Sequence, residues 1–180
     1  MKYYSLRITM FVLIWVLFLS VPFVCAETAE EYFNSALTYA NQSNFTQAIS
    51  DCTKAIETNP KYADAYNVRG AVYEHQSNLS QAISDYTKAI TINPNYAKAY
   101  CNRGGAYDKQ GNFAQAILDL TKAIGIDPND AASYNNLGVA YYVIKDYDKA
   151  WENVHKAEKL GYTVNPAFLV KLKKASVRDK

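Results

Sequence analysis

A segment of about twenty residues occurs three times in this chain, and each copy begins 34 residues after the last. The copies read DCTKAIETNPKYADAYNVRG, DYTKAITINPNYAKAYCNRG and DLTKAIGIDPNDAASYNNLG, beginning at Asp51, Asp85 and Asp119. A fixed period of this length is typical of repeat architectures, in which each unit buries its apolar face against its neighbours. The period divides the chain into four units, 29–62, 63–96, 97–130 and 131–164.

Within each unit the spacing of apolar and small residues predicts two helices. Tyr66, Gly70 and Tyr73 lie at positions i, i+4 and i+7, which share one face of a helix. A second helical pattern starts at Leu79, after the polar break QSN at 76–78. Pro94 ends it, because a proline disfavours helical geometry in the residue before it. Each unit is therefore predicted to be a helical hairpin, and the fold class is all-α.

Several columns of the repeat hold one kind of residue in all four units. Small residues fill one column, tyrosines fill two and alanines fill two more; the small column is Ala36, Gly70, Gly104 and Gly138. With the proline after the second helix, this pattern resembles the tetratricopeptide repeat over about 29–164. The resemblance implies a right-handed superhelical solenoid of four helix-turn-helix repeats. The departures are Cys52, Leu120 and Val154 where the second unit has Tyr86, and Tyr162 where the fourth proline would be.

The residues after the fourth unit predict one more helix. In NPAFLVKLKKAS, residues 165–176, the apolar side chains share a face and the lysines lie elsewhere; the apolar set is Phe168, Leu169, Leu172 and Ala175. The last unit of a solenoid needs a polar outer face, so we interpret 165–176 as a capping helix followed by a basic tail, 177–180. An amphipathic helix that binds a membrane surface is the alternative.

The N-terminal residues 1–26 have the features of a secretory signal peptide. Lys2 and Arg7 precede a nearly all-apolar stretch, 8–24, and the small-residue sequence VCA ends before Glu27. We therefore predict cleavage after Ala26 and export of the protein. The expected location is the periplasm of a bacterium, and secretion is an alternative location. Retention of 8–24 as a membrane anchor and lipidation at Cys25 are the alternatives.

The charge balance bears on which partners the protein can bind, and the cysteine positions bear on whether a disulfide can form. Removing Lys2 and Arg7 from the 19 basic residues leaves 17, which balance the 17 acidic ones. Such a neutral balance disfavours nucleic acid as a partner, because phosphates require clustered basic residues.

Cys52 and Cys101 are separated by both helices of the second unit, so we expect free thiols instead of a disulfide.

The sequence contains no arrangement that predicts catalysis. His75 and His155 lie in different units, without cysteines or carboxylates at metal-ligand spacing, and no nucleophile–base pattern or phosphate-binding glycine loop is present. We therefore expect no enzymatic activity and no cofactor. Arg69 is predicted to form a structural ion pair with either Asp51 or Asp85, and the spacing leaves both options open.

The family resemblance implies that the first helices of the units line a concave groove. Transferred to this sequence, the candidate partner-binding residues are Asn34, Asn67, Lys98, Asn102, Asn135 and Asn136, with Tyr142 at the rim beside His75, Asp108 and Lys109. An asparagine amide both donates and accepts hydrogen bonds, so it can bind the backbone of an extended peptide. Ala71 and Gly105 leave room for such a backbone.

Some family members hold a C-terminal carboxylate with Lys, Asn and Arg side chains spread over three first helices. This set is absent here: units two to four carry Asn67, Ala71, Asn102, Ala132 and Asn136 at its places. From the family resemblance, the predicted signal peptide and the lack of a catalytic pattern, we expect a non-catalytic protein–protein interaction scaffold of the cell envelope that binds a peptide or helix in the groove. A membrane-tethered subunit of an envelope assembly is the alternative, and self-association stays open.

Overall fold

The computed structural model describes residues 27–178, so the predicted signal peptide and the end of the basic tail lie outside the described residues. Nine helices and no strands form the regular structure of this part of the chain. They are α1 (Ala29–Asn41), α2 (Phe45–Thr58), α3 (Ala63–His75), α4 (Leu79–Ile92), α5 (Ala97–Lys109), α6 (Phe113–Ile126), α7 (Ala131–Val143), α8 (Tyr147–Lys159) and α9 (Pro166–Arg178). None of the helices within 27–178 is long and apolar enough to span a membrane.

Each helix packs mainly against the helices before and after it in the chain. The most extensive contacts join the pairs α1–α2, α3–α4, α5–α6 and α7–α8, and the second helix of each pair also packs on the first helix of the next. One pair falls within each of the four predicted units. This consecutive packing of hairpins confirms the predicted all-α solenoid.

The turn inside each hairpin follows from its sequence. The residue before the second helix caps it: Asn78 accepts a hydrogen bond from the backbone N–H of Gln81, and Asn112 accepts one from Gln115. The residue before each cap adopts a positive φ, at 61° for Ser77 and 78° for Gly111. The polar break between the two helices of a unit therefore consists of a left-handed residue followed by a helix cap.

The small-residue column sets how closely the two helices of a unit approach. A methyl group on Gly70 would lie 2.8 Å from Cε1 of Tyr86, and one on Gly104 would lie 2.8 Å from Cγ of Leu120. Both distances are shorter than ordinary carbon–carbon contacts of about 3.5–4.0 Å. The first unit has Ala36 in this column and the smaller Cys52 in the Tyr86 column, and both are fully buried.

An arginine connects successive units. The Nε and Nη2 atoms of Arg69 each donate to a different carboxylate oxygen of Asp85 at 2.8 Å, and Nη1 donates to Oγ1 of Thr53 in the preceding unit at 3.0 Å. Arg103 bonds Asp119 and Thr87 in the same way, one unit later. The structure thus answers the open question of pairing: Arg69 pairs with Asp85 and not with Asp51.

The last helix, α9, closes the C-terminal end of the stack. Leu172 is fully buried against α8, and Nε1 of Trp151 donates to Oγ of Ser176 at 3.3 Å. The expectation of a polar outer face is wrong in one respect: Val170 and Val177 are 67% and 70% exposed. The apolar residues of α9 extend around more of the helix than the face that packs on α8 can cover.

Both described cysteines are buried free thiols, as predicted. Burial raises the pKa of Cys52 to about 12 and that of Cys101 to about 11. Since the thiolate is the reactive form, both side chains act as small apolar residues at neutral pH.

Candidate functional site

A pocket of about 290 Å³ opens between the end of α1 and the helices α3 and α5. It contains three of the predicted partner-binding residues, Asn67, Lys98 and Asn102, together with apolar walls from Phe45 and Val68. A second pocket of about 180 Å³ shares Ala71, His75 and Asn102 with the first and adds Glu74, Tyr86 and Lys109. We call the two adjoining pockets the groove. It crosses three successive units.

The two asparagines of the groove contact each other. Nδ2 of Asn102 on α5 donates to Oδ1 of Asn67 on α3 at 3.0 Å, which connects neighbouring units. Asn67 is only 2% exposed, whereas Asn102 is half-buried. Asn102 is therefore the more accessible of the two amides from the groove, and Asn67 lies behind it. Asn102 retains its own oxygen and one N–H for a ligand.

Lys98 supplies an unpaired positive charge at the start of α5. Its side chain is exposed, and within the described part of the chain no carboxylate lies within ion-pair distance of it. An ammonium group has three donors and no acceptor. Lys98 is therefore free to bind an acceptor on a ligand.

The rim of the groove is built from side chains of three units. Glu74 accepts hydrogen bonds from Oη of Tyr86 and from Nζ of Lys109, both at 2.7 Å. His75 stacks on the ring of Phe45, with the ring centres 5.5 Å apart. The predicted rim residues His75 and Lys109 thus lie in the groove, but Lys109 already has an ion-pair partner.

The predicted residues of the fourth unit continue the line of asparagines one helix further. Nδ2 of Asn136 lies 3.8 Å from Sγ of Cys101, and Nδ2 of Asn135 lies 3.4 Å from Oδ1 of Asn136. Both asparagines are half-buried, and neither lines the two pockets of the groove. Gly105 lies between them and the groove without a side chain, so the surface remains open there.

Two predicted residues lie apart from the groove. Tyr142 packs its ring edge-on against Phe168 of α9, with centres 5.4 Å apart, and joins the apolar cluster under the capping helix. Asn34 is exposed on α1 and lines neither pocket. The structure therefore brings together Asn67, Lys98 and Asn102, places Asn135 and Asn136 beside them, and assigns Tyr142 to packing.

Sequence reasoning missed several residues of the groove, and Phe45 and Glu74 are the two that shape it through side-chain contacts. Phe45 begins the second helix of the first unit, and its ring forms a wall because His75 stacks on it. Glu74 lies one position before His75 and holds two donors at the rim. The signal for Glu74 was its column, in which the next unit carries another carboxylate, Asp108.

The described residues offer little for other chemistry. No group of three or more His, Cys, Asp or Glu side chains between residues 27 and 177 is placed to hold a metal ion. A further pocket, of about 380 Å³, lies on the fourth unit, where Tyr134, Asn153 and Lys156 line it. It shares no residue with the groove.

The repeated hairpins, their cross-connecting side chains and the groove on their first helices define a helical repeat protein. A tetratricopeptide repeat profile matches residues 29–62, 63–96 and 97–130, and a second tetratricopeptide repeat profile matches 120–152. The chain therefore belongs to the tetratricopeptide repeat family. Proteins of this family are generally non-catalytic scaffolds for protein–protein interaction.

Solved structures of similar fold belong to the same class. A crystal structure of MamA is 28% identical, with a TM-score of 0.69, over 74% of this chain and 78% of that one. MamA from Desulfovibrio magneticus is 23% identical, with a TM-score of 0.67, over 74% and 75%. The first tetratricopeptide domain of Spaghetti (RPAP3), bound to the HSP90 peptide SRMEEVD, is 24% identical, with a TM-score of 0.64, over 65% and 93%. No curated protein sequence matches the chain.

Proposed function

We propose that this protein is a non-catalytic scaffold that binds a peptide segment or helix of a partner protein in the groove. The observation that carries the proposal is the combination of the unpaired Lys98, the half-buried amide of Asn102 and the small side chain of Ala71 in one depression. The lysine and the amide bind polar groups of a peptide backbone or side chain. Ala71 lets that backbone approach the helix.

The groove also provides apolar contact beside its polar groups. Phe45, Val68 and Val72 line the same pocket as Lys98 and Asn102. Binding sites commonly combine apolar walls with a few placed polar groups, which fix the orientation of the ligand. A partner segment with one apolar side chain flanked by hydrogen-bonding groups fits this arrangement.

The RPAP3 domain supports the proposal through fold alone, since it is a tetratricopeptide domain with a bound peptide. Its bound peptide is SRMEEVD, which ends in an acidic residue. This chain lacks the Lys, Asn and Arg set with which some family members hold a C-terminal carboxylate. We therefore propose an internal segment of the partner, and not a free C-terminus, as the ligand of this groove.

We also propose that the scaffold acts in the cell envelope after export. The proposal rests on the sequence of residues 1–26, which has the basic start, apolar stretch and small-residue end of a signal peptide. The alternative is a membrane-tethered subunit that retains 8–24. Mass spectrometry of the protein purified from cells distinguishes them: an N-terminus at Glu27 supports export with cleavage, and an intact N-terminus supports the anchor.

A charge reversal with a matched control tests the groove. Peptides selected on the wild-type protein from a random display library serve as probes, and isothermal titration calorimetry measures their affinity. Lys98→Glu is expected to weaken binding at least about tenfold, equivalent to about 1.4 kcal/mol. Lys122→Glu makes the same charge change at an exposed position of α6 and is expected to leave binding unchanged. Equal effects of the two variants would refute groove binding.

A further inference from the structure

One carboxylate near the groove has no hydrogen-bond partner. Oδ1 of Asp108, near the end of α5, is buried from solvent, and no donor reaches it within the part of the chain that the structure describes. Burial raises the pKa of Asp108 above its ordinary value, while the charge of Lys109 opposes that shift. Buried polar atoms without partners are rare in folded proteins and require an explanation.

The preceding unit shows what is missing. Glu74 occupies the position 34 residues before Asp108, and it accepts hydrogen bonds from Oη of Tyr86 and Nζ of Lys109, both at 2.7 Å. One unit later, the corresponding positions are Leu120 and Val143, which have no donors. The third unit thus keeps the acid of this column but has lost both of its internal partners.

Packing alone gives no reason for an acid at this position. A buried carboxylate oxygen without a donor is unfavourable. The residue at the Tyr86 position of this unit, Leu120, is apolar and fully buried, so it gives Asp108 no compensating hydrogen bond. Asp108 lies beside Lys109, which lines the groove, and one turn after Gly105, where the surface is open. Asp108 itself lines neither pocket, but its side chain is only half-buried, so a long basic side chain of a peptide in the groove can approach the carboxylate.

We propose that Asp108 is a subsite adjoining the groove that receives a basic side chain, Lys or Arg, of the bound peptide. The incoming cation supplies the charge and hydrogen bonds that Tyr86 and Lys109 supply to Glu74. This inference rests on the proposed function, because it names the chemistry of one side chain of the same partner. The partner segment then has an acceptor near Lys98 and a cation near Asp108.

A double substitution, in the protein and in the peptide, tests the proposal on the full chain. Peptides selected from the random library on the wild-type protein are expected to be enriched in Lys or Arg at one position. Asp108→Asn should weaken these peptides at least about tenfold, while Asp148→Asn, the same change at an exposed position of α8, should not. Replacing the basic residue of the peptide by Met should weaken binding to the wild type and have little effect on Asp108→Asn.

A second variant tests the same site without removing the acid. Leu120→Tyr restores the donor that Tyr86 gives to Glu74, over Gly104, which has the same place as Gly70. This internal donor should compete with the peptide, so the preference for a basic residue should fall in Leu120→Tyr. An unchanged preference in both Asp108→Asn and Leu120→Tyr would overturn the proposal.

The outcomes separate this inference from the proposed function. If no peptide is selected, or binding does not respond to Lys98→Glu, both are rejected. If binding responds to Lys98→Glu but the selected peptides have no basic preference, or their basic residue contributes equally in wild type and Asp108→Asn, the subsite is rejected and groove binding stands. In that case the unpaired oxygen is satisfied by water only.

Discussion

The guanidinium of Arg69 contacts both oxygens of the Asp85 carboxylate at 2.8 Å and also the hydroxyl of Thr53 in the preceding unit. The pair is largely removed from water, with 17% of the arginine side chain and 8% of the aspartate side chain exposed. The hydrogen bonds that Arg69 donates to Asp85 raise the pKa of Arg69, so the guanidinium stays charged over the whole physiological range. One side chain thus connects the two helices of its own unit and the unit before it.

Removing only the arginine should be far more damaging than removing the pair. Arg69→Ala leaves Asp85 buried without a partner, and we expect a loss of about 3 kcal/mol in the free energy of unfolding. The double variant Arg69→Leu with Asp85→Asn reproduces the natural residues of the fourth unit, Leu137 and Asn153, and should lose much less. Urea denaturation measures both. A double variant as unstable as the single one would contradict this account.

The small-residue column should tolerate no added methyl group where the helices touch. In Gly104→Ala the new Cβ would lie 2.8 Å from Cγ of Leu120, so we expect a loss of about 1–3 kcal/mol from overpacking. Gly125→Ala is the control, because nothing lies within 4 Å of its new Cβ. Alanine favours helix over glycine by up to about 1 kcal/mol, so the control should gain stability. Thermal denaturation measures the midpoint temperatures of both variants. Equal shifts of the two midpoints from the wild-type value would be inconsistent with close helix contact at Gly104.

Asp108 should give the protein a specific dependence on pH. Because its folded-state pKa is raised by burial, the folded protein holds this proton more tightly than the unfolded chain. The contribution of Asp108 to stability therefore falls as pH rises from about the ordinary value of 3.8 through the folded pKa. The side chain of Asp108→Asn does not titrate, so the variant does not lose this contribution as pH rises. The stability of Asp108→Asn relative to wild type should therefore increase between pH 3 and pH 7. A relative stability that decreases over this range would show that Asp108 has an ion-pair partner.

The cysteines should be unreactive in the folded state. With the pKa of Cys101 at about 11, on the order of one thiol in a thousand is ionised at pH 8, and burial limits access further. Alkylation by iodoacetamide, followed by peptide mass spectrometry, should label Cys52 and Cys101 only as fast as the protein unfolds. Labelling of either residue within minutes in native buffer would show that its helix is open to solvent.

The sequence predicted the hairpins well because stacking imposes the same requirements on every unit. Gly70 and Gly104 meet Tyr86 and Leu120 in the same way, so one column of the repeat describes both contacts. The capping helix was equally visible, since its apolar spacing differs from that of the repeat. The sequence did not predict that the capping helix packs on the ring of Tyr142. A tyrosine at the rim of a groove and a tyrosine under a capping helix occupy the same position in the repeat, so spacing does not distinguish them.

The details of the groove depended on helix rotation, which spacing does not specify. Asn67 and Asn102 occupy neighbouring columns, and a fraction of a turn decides which amide is buried and which is accessible from the groove. Arg69 lies 18 residues after Asp51 and 16 before Asp85, and both distances are compatible with a contact between adjacent helices. The rotation of the helices about their axes, and not the spacing, selects Asp85.

Site-specific photocrosslinking in cells tests the central claim most directly. A photoreactive amino acid at Lys98 lies in the groove, and the same amino acid at Lys122 lies on an exposed part of α6 as the control. Groove binding predicts one dominant adduct from position 98, mapped by mass spectrometry to a single segment of one partner, and no such adduct from position 122. An adduct with that same segment from position 122 and none from position 98 would contradict the account.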